Sequence, residues 1–176
     1  KLIRKTFFIF FIIFSTKISF ANNIAVVNID EIIDNNTEYK NILKKFNDYK
    51  KIFENEFKLQ EEDLLKQLNQ IENDKIILND NELSLKIENY NIKVDNYQKK
   101  IEKFNIHNQN QILSIRNFIV SEIIILLENY AKQNNISIVF DATNYVLAAD
   151  SINVTKEIEQ GLKDIKLNLS FDKFEN

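Results

Sequence analysis

The sequence predicts an α+β fold in which a long antiparallel helical hairpin is inserted into a small β-rich body. Apolar residues recur every three or four positions from Thr37 to about Tyr130, as they do along one face of a helix. Short β-branched runs stand before and after this segment. The 176 residues include one glycine and no proline, so the chain lacks the turn residues that sandwiches, barrels and Gly-rich phosphate loops require. Long helices are therefore favoured.

The second arm of the predicted hairpin carries a coiled-coil pattern. Its apolar residues follow alternating steps of four and three, in the order Leu83, Ile87, Tyr90, Val94, Tyr97, Ile101 and Phe104. A mean step of about 3.5 residues is typical of a supercoiled helix pair, so we expect these side chains to form a seam with the first arm. Asn108 and Gln111 follow at the next seam positions and make that end of the seam polar.

The first arm is less regular than the second. Its seam is predicted from Tyr39, Ile42, Phe46, Tyr49, Phe53, Phe57, Leu64, Leu68, Ile71 and Leu78. The step from Phe53 to Phe57 is four where three is due, and Gln60 and Glu61 then interrupt the apolar series. Such a stutter predicts a local unwinding of the supercoil.

Polar residues mark the ends of the predicted helices. Asp30 is the predicted cap of a helical turn after the first strand, and Thr37 is that of the first arm. Asp80 or Asn81, in the polar break between the arms, is predicted to cap the second arm. Asn134-Asn135 is a candidate left-handed C-cap.

The body is predicted to contain three short strands, residues 24–29, 136–140 and 145–148, and a helix from Thr155 through Leu162. The base of the second arm, residues 118–127, is apolar on every side and must be buried by the body or by other copies of the chain. The predicted domains are therefore a body (22–36 and 131–163), a hairpin (37–130) and a tail (164–176). The tail alternates apolar and polar residues from Ile165 to Phe171, which leaves an added strand and a mobile tail both open.

Residues 1–21 have the parts of a secretory signal peptide. A basic start, an apolar run from Phe7 to Phe14 and small residues at Ser19 and Ala21 predict cleavage after Ala21 and export from the cytoplasm. An uncleaved anchor is the alternative, but the run is far shorter than the roughly 20 residues that span a bilayer. Cleavage would remove four of the 23 basic residues and none of the 26 acidic ones, leaving a net charge of −7. This charge argues against binding of nucleic acid.

The composition offers no catalytic or cofactor site. The chain has no cysteine, and its single histidine, His107, has neither a second histidine nor a thiol with which to hold a metal, so we interpret it as a polar residue of the helix surface. Acidic residues at helical spacing are typical of a solvated face with i,i+4 pairs. The sequence therefore predicts a protein that is not an enzyme and needs no cofactor.

Three short segments, in their order around the hairpin, resemble the Skp (OmpH) family of periplasmic chaperones. They are Ile-Ala-Val-Val-Asn-Ile (24–29), Ile-Ser-Ile-Val-Phe-Asp-Ala (136–142) and Asn-Val-Thr-Lys-Glu-Ile-Glu-Gln-Gly-Leu-Lys (153–163). The resemblance implies a homotrimer with a β-rich body and three hairpin tentacles around a cavity. It also implies a periplasmic holdase that binds unfolded outer-membrane β-barrel proteins before their membrane insertion, without cofactor or nucleotide.

The charge departs from that of the family. Its best-known members are strongly basic, and a lipopolysaccharide site has been proposed from their basic residues, whereas Arg116 is the one arginine after residue 21 here. The lipopolysaccharide site is therefore not carried over, and membrane contact stays open.

Two sets of apolar residues are the candidate functional surfaces. Residues predicted off the seam or at the tip are candidates for client binding: Ile52, Leu59, Ile76, Ile77, Ile92 and Ile106. Strand residues and the base of the second arm are candidates for oligomerisation: Ile24, Val26, Phe118, Ile123, Ile124, Leu127, Ile138 and Phe140. The alternative function is an exported coiled-coil structural or adhesin-like interaction protein, for which the seam would be dry and fully paired.

Overall fold

The computed structural model describes residues 24–175, so the predicted signal peptide lies outside the described residues. Strand β1 (Ile24–Val27) is followed by helices α1 (Ile29–Asn35), α2 (Thr37–Asp74) and α3 (Asp80–Asn134), strand β2 (Ile138–Asp141) and helix α4 (Thr155–Lys163). Single turns of 3-10 helix at Ala142–Asn144 and Asp150–Ile152 lie between β2 and α4.

The two strands form a parallel sheet, in which β1 meets β2 across the whole inserted helical segment. The register pairs Ile24 with Ile138 and Val27 with Asp141. On its other side β1 has one more parallel contact, where the Val154 N–H donates to the Val26 carbonyl oxygen at 2.9 Å. The predicted meeting of an early and a late strand is therefore confirmed.

The predicted third strand is wrong. Residues 145–148 form no strand, and Val146 and Leu147 are almost fully exposed. Their apolar character suits a strand, but no strand edge of the described chain lies beside them. The edge of β1 opposite β2 is instead met by a single bridge at Asn153. With two strands of four residues each, the body is mainly helical rather than β-rich.

Helices α1, α3 and α4 supply the core of the body. Its fully buried side chains include Ile32, Ile33, Ile119, Ile123, Ile158 and Leu162. The one glycine, Gly161, lies where α4 approaches α3, because a Cβ atom there would stand 3.3 Å from Cδ2 of Leu126. A small residue thus allows this close packing.

Helices α2 and α3 pack against each other in antiparallel directions. Contacts join Phe53 to Phe104, Phe57 to Tyr97, Gln67 to Lys93 and Asp74 to Lys86, so positions rise along α2 as they fall along α3. The 38 residues of α2 span about 57 Å at the usual helical rise. Helix α3, with 55 residues, continues past this pair into the body.

The helix caps differ from the predicted residues by one or two positions. The Oδ1 atoms of Asn28, Asn36 and Asn79 accept hydrogen bonds from the N–H groups of Glu31, Tyr39 and Glu82. These asparagines, and not Asp30, Thr37, Asp80 or Asn81, cap α1, α2 and α3. The predicted C-cap of α3 is confirmed, since Asn135 has the left-handed φ of 53°.

The tail, residues 164–175, forms neither a helix nor a strand after Asp164. Leu167 is buried in the body core, with Ile165, Leu169 and Phe171 packed against it. The alternation in the sequence therefore arises because every second side chain of the tail packs against the core. The tail does not pair with a strand, although such a pattern is often found in strands.

Candidate functional site

A row of exposed apolar side chains runs along the outer face of α3. Leu85, Ile92, Ile106 and Leu113 are separated by seven or fourteen residues, and each is about half exposed. Each follows a seam position by two residues, which turns it about 200° around the helix, away from α2. We call these four residues the outer stripe. No side chain of α2 can cover it.

The six predicted client-binding residues are all exposed. Ile52 and Leu59 lie on α2, Ile92 and Ile106 belong to the outer stripe, and Ile76 and Ile77 form the turn at the tip with 91% and 80% exposure. Sequence reasoning missed Leu85 and Leu113. Their seven-residue spacing from Ile92 and Ile106 was the signal that could have found them.

A cleft of about 510 Å³ opens between α2 and α3 halfway along the pair. Its lining residues are Leu59, Gln60, Asp63, Leu64, Gln67, Lys93, Asn96, Tyr97 and Lys100. The cleft lies where Gln60 and Glu61 interrupt the apolar seam. Nearer the body, aromatic side chains pack between the two helices, whereas these exposed polar side chains leave the space between the helices unfilled. The stutter in the sequence thus corresponds to an opening in the seam.

Tyr97 and Phe57 close the end of the cleft nearer the body. The Tyr97 hydroxyl donates to the Phe57 carbonyl oxygen at 3.2 Å, and the Lys100 Nζ lies 5.7 Å from the centre of the Phe57 ring. Burial and the negative charge of Glu61 raise the pKa of Tyr97, so the hydroxyl stays protonated as a donor. At the other end, an ion pair between Lys86 and Asp74 joins the helices near the tip.

The tail lies on the part of this helix pair nearest the body. Phe171 meets Phe46 and Tyr49 at ring distances of 5.0 and 5.4 Å. Phe174 meets Phe53 and Phe104 at 5.8 and 5.4 Å. Both helices therefore contribute aromatic contacts to the tail.

His107 contacts the tail and is half-buried rather than a free surface residue. Its Nε2 atom lies 2.9 Å from the Asp172 carbonyl oxygen, and its ring lies 5.7 Å from that of Phe174. Among residues 24–175 no group of three or more His, Asp or Glu side chains is placed to hold a metal ion.

The predicted oligomerisation residues fall into two groups. Val26, Ile123 and Leu127 are buried by the chain itself and leave little surface for a second copy. The other five, Ile24, Phe118, Ile124, Ile138 and Phe140, are 41–48% exposed. Sequence periodicity could not separate the two groups, because the base of α3 is apolar on all sides. Only the folded structure shows which of these sides the body covers.

In composition and length, α3 is the one helix of the described chain that could cross a membrane. Core helices of soluble proteins can have the same length and composition. Here most of the apolar stretch is not buried in the single chain, and Phe118, Ile124 and Ile125 are about half exposed.

The model of the outer membrane protein (OmpH-like) family matches residues 23–162. The chain belongs to this family. The match spans β1 through α4 and ends before the tail. No curated protein matches the chain.

A crystal structure of a proposed outer membrane chaperone (OmpH-like) from Caulobacter crescentus has a similar fold. The TM-score is 0.64 at 12% identity, over 86% of this chain and 91% of the other. At this identity the likeness concerns the fold. This OmpH-like chain therefore shares its overall fold with a solved structure.

Proposed function

We propose that this OmpH-like protein is a periplasmic holdase chaperone. It binds unfolded outer-membrane β-barrel proteins between projecting helical pairs and prevents their aggregation before membrane insertion. The observation that carries the proposal is the outer stripe, four half-exposed apolar side chains at heptad-related positions on a helix face that would otherwise be expected to carry polar residues only. Membership of the OmpH-like family and the fold shared with a proposed outer membrane chaperone support the same role.

The outer stripe has the chemistry that an unfolded chain requires. Side chains that are about half exposed offer area to a partner without being removed from the protein's own core. Several such residues spread over a long helix provide many weak contacts, whose combined strength comes from simultaneous engagement. This mode of binding acts without a cofactor or a chemical step, which is why we propose a protein that works by binding alone.

Three copies assembled through their bodies would bring three helical pairs around one client. The exposed residues Phe118 and Ile124 on α3, and Ile24, Ile138 and Phe140 on the sheet, supply apolar surface for that contact. Exposed apolar area of this kind on a monomer is typical of an interaction surface. The homotrimer remains part of the proposal.

The proposed function is tested with the outer stripe and a matched control. Ile92 and Ile106 are both replaced by Ser in a chain of residues 22–176, and the control replaces the neighbouring exposed Asn91 and Asn105 by Ser. A urea-unfolded outer-membrane barrel protein is diluted into each, and its aggregation is followed by light scattering. The unaltered chain and the control are expected to keep it soluble.

The double isoleucine variant is expected to bind the client roughly tenfold more weakly. The two substitutions together are expected to remove about 1.4 kcal/mol of apolar contact, which corresponds to a tenfold change in affinity. Circular dichroism and sedimentation establish that its helix content and mass are unchanged. If the unaltered chain leaves the client to aggregate, the chaperone proposal is wrong. If both variants protect equally, the outer stripe is not the client surface.

A coiled-coil spacer, the alternative function, requires a seam that is paired throughout. The cleft between α2 and α3 gives no support to such a seam, and neither does the buried amide of Asn108, which has no hydrogen-bond partner among residues 24–175.

A further inference from the structure

We propose that the groove between α2 and α3 beside the body is a binding site for extended polypeptide that carries aromatic residues, and that the tail occupies it as a built-in competitor. The occupant that displaces the tail is an aromatic-bearing segment of an unfolded client. This second part of the inference rests on the proposed function. The groove itself rests on contacts within the described chain.

The helices hold the main chain of the tail rather than its polar side chains. The Asp172 N–H donates to Oε1 of Gln111 at 2.8 Å, and the Asp172 carbonyl oxygen lies 2.9 Å from Nε2 of His107. The Phe174 N–H donates to the hydroxyl of Tyr49. Main-chain groups are common to every polypeptide, so these three side chains can hold an extended segment of almost any sequence.

Aromatic side chains of the tail supply the remaining contacts. Phe171 fits against Phe46 and Tyr49, and Phe174 fits between Phe53 on α2 and Phe104 on α3. Three of these four contacts are edge-to-face, and such contacts add to the stabilisation that the rings gain from burial. The groove therefore selects for two aromatic residues three positions apart in an extended chain.

The occupied groove and the open cleft lie on the same helical faces. The residues that contact the tail on α3, Gln111, His107 and Phe104, continue in steps of three and four to Lys100, Tyr97 and Lys93, which line the cleft. On α2 the series Phe46, Tyr49 and Phe53 continues in the same way through Phe57 to Gln60, Leu64 and Gln67. Because steps of three and four keep to one helical face, the tail and the cleft lie on the same side of the helix pair, with the contact between Tyr97 and Phe57 separating them.

The outer half of the tail, residues 171–175, can leave the groove without disrupting the fold. Leu167 is anchored in the body core, but Phe171 and Phe174 are only half-buried and the residues between them, Asp172 and Lys173, are exposed. This segment has no helix or strand to break when it leaves. The tail also lies beyond residue 162, where the family match ends.

The site is tested first with a peptide. A chain of residues 22–170 lacks the two phenylalanines but keeps the Leu167 anchor, and a fluorescent peptide of residues 168–176 is added to it and to the chain ending at 176. Fluorescence anisotropy should show saturable binding to the shorter chain. Binding to the longer one should be roughly tenfold weaker, because its tail leaves about a tenth of the sites free. A peptide with both phenylalanines replaced by Ser should bind neither.

Absence of peptide binding to a folded shorter chain would overturn the inference, whatever the client does. A second variant guards against misfolding: the chain ending at 176 with Phe171→Ser and Phe174→Ser, whose matched control is Lys173→Ser. The double variant should bind the peptide like the shorter chain, and the control like the unaltered one. Equal binding by the double variant and the control would also overturn the inference.

The client is tested next, with the urea-unfolded barrel protein. Loss of the tail should strengthen client binding roughly tenfold, and an excess of the peptide should reverse that gain. Weaker or unchanged binding would show that the tail is not a competitor, and would overturn that half of the inference. If no form of the chain binds the client while the peptide binds as expected, the proposed chaperone function fails and the groove stands.

Discussion

At the scale of single residues, one carboxylate joins the sheet to the first helix. Oδ2 of Asp141 accepts from the Ile29 N–H at 3.2 Å, and its Oδ1 accepts from the N–H and hydroxyl of Thr143 at 3.1 and 2.8 Å. Burial of Asp141 opposes its ionisation, but these hydrogen bonds together prevail and lower the pKa of the carboxyl. Asp141 thus ties the end of β2 to the start of α1.

Replacing Asp141 by Asn is expected to lower the free energy of unfolding at pH 7 by about 1–3 kcal/mol, because the amide offers one acceptor where two were used. Since the folded-state pKa lies below the unfolded value, the stability from ionisation is complete above the unfolded pKa. It is lost as the pH falls through the folded one. The gap between Asp141→Asn and the unaltered chain should therefore narrow below about pH 4.

Urea unfolding between pH 3 and 7 measures this gap. The control is Asp150→Asn, whose exposed side chain has no hydrogen-bond partner among residues 24–175. A gap that is the same at pH 3 as at pH 7 would mean that ionisation of Asp141 contributes nothing.

Residue-level predictions from the sequence were least accurate at the helix caps. The caps of α2 and α3, Asn36 and Asn79, lie in runs of Asn, Asp or Thr, all of which can accept from the N–H groups of the first turn. The run places the helix end within two residues, as at Asn36 and Asn79. Which residue caps is decided by where the packed helix begins, and that depends on tertiary contacts.

At the scale of elements, the seam between α2 and α3 contains a buried polar residue close to the body. Asn108 is only 6% exposed, and neither its Nδ2 nor its Oδ1 has a partner in the part of the chain that the structure describes. A buried amide without hydrogen bonds costs about 1–3 kcal/mol. Asn108 therefore weakens the helix pair close to its base.

Replacing Asn108 by Leu is expected to raise the free energy of unfolding by about 1–3 kcal/mol, because an apolar side chain needs no partner there. It should also slow amide hydrogen exchange in neighbouring turns of α2 and α3. The control is Asn105→Leu, an exposed change on the same helix, for which an effect within about 0.5 kcal/mol is expected. Destabilisation by Asn108→Leu would show that the amide is favourable in the seam.

Element-level predictions succeeded where periodicity is long. Both long helices and the β1–β2 pairing follow from patterns that extend over a whole element, and the stutter at Gln60 marks the opening between the helices. The strand predicted at residues 145–148 failed because a short apolar run becomes a strand only when another strand lies beside it. The tail was undecidable for the same reason: its alternation needs a surface, and the body core provides it.

At the scale of the whole molecule, the body leaves one side of α3 uncovered. Ile119 and Ile123 are fully buried, whereas Phe118, Ile124 and Ile125 on the same stretch are about half exposed. The sequence requires burial on all sides of this stretch, and the single chain supplies it on one. The proposed contact between copies would supply the rest.

Replacing Ile124 by Asp is expected to reduce the mass of the chain of residues 22–176 from that of three copies to that of one. Burying a carboxylate without a partner in an apolar interface costs several kcal/mol. This cost is expected to be enough to dissociate the contact between copies. Sedimentation at several concentrations measures the mass, and circular dichroism verifies the fold. The control, Asn129→Asp, adds the same charge at an exposed position of the same helix and should leave the mass unchanged. An unaltered chain with the mass of one copy at every concentration would contradict the trimer, and the uncovered face of α3 would then be available to clients alone.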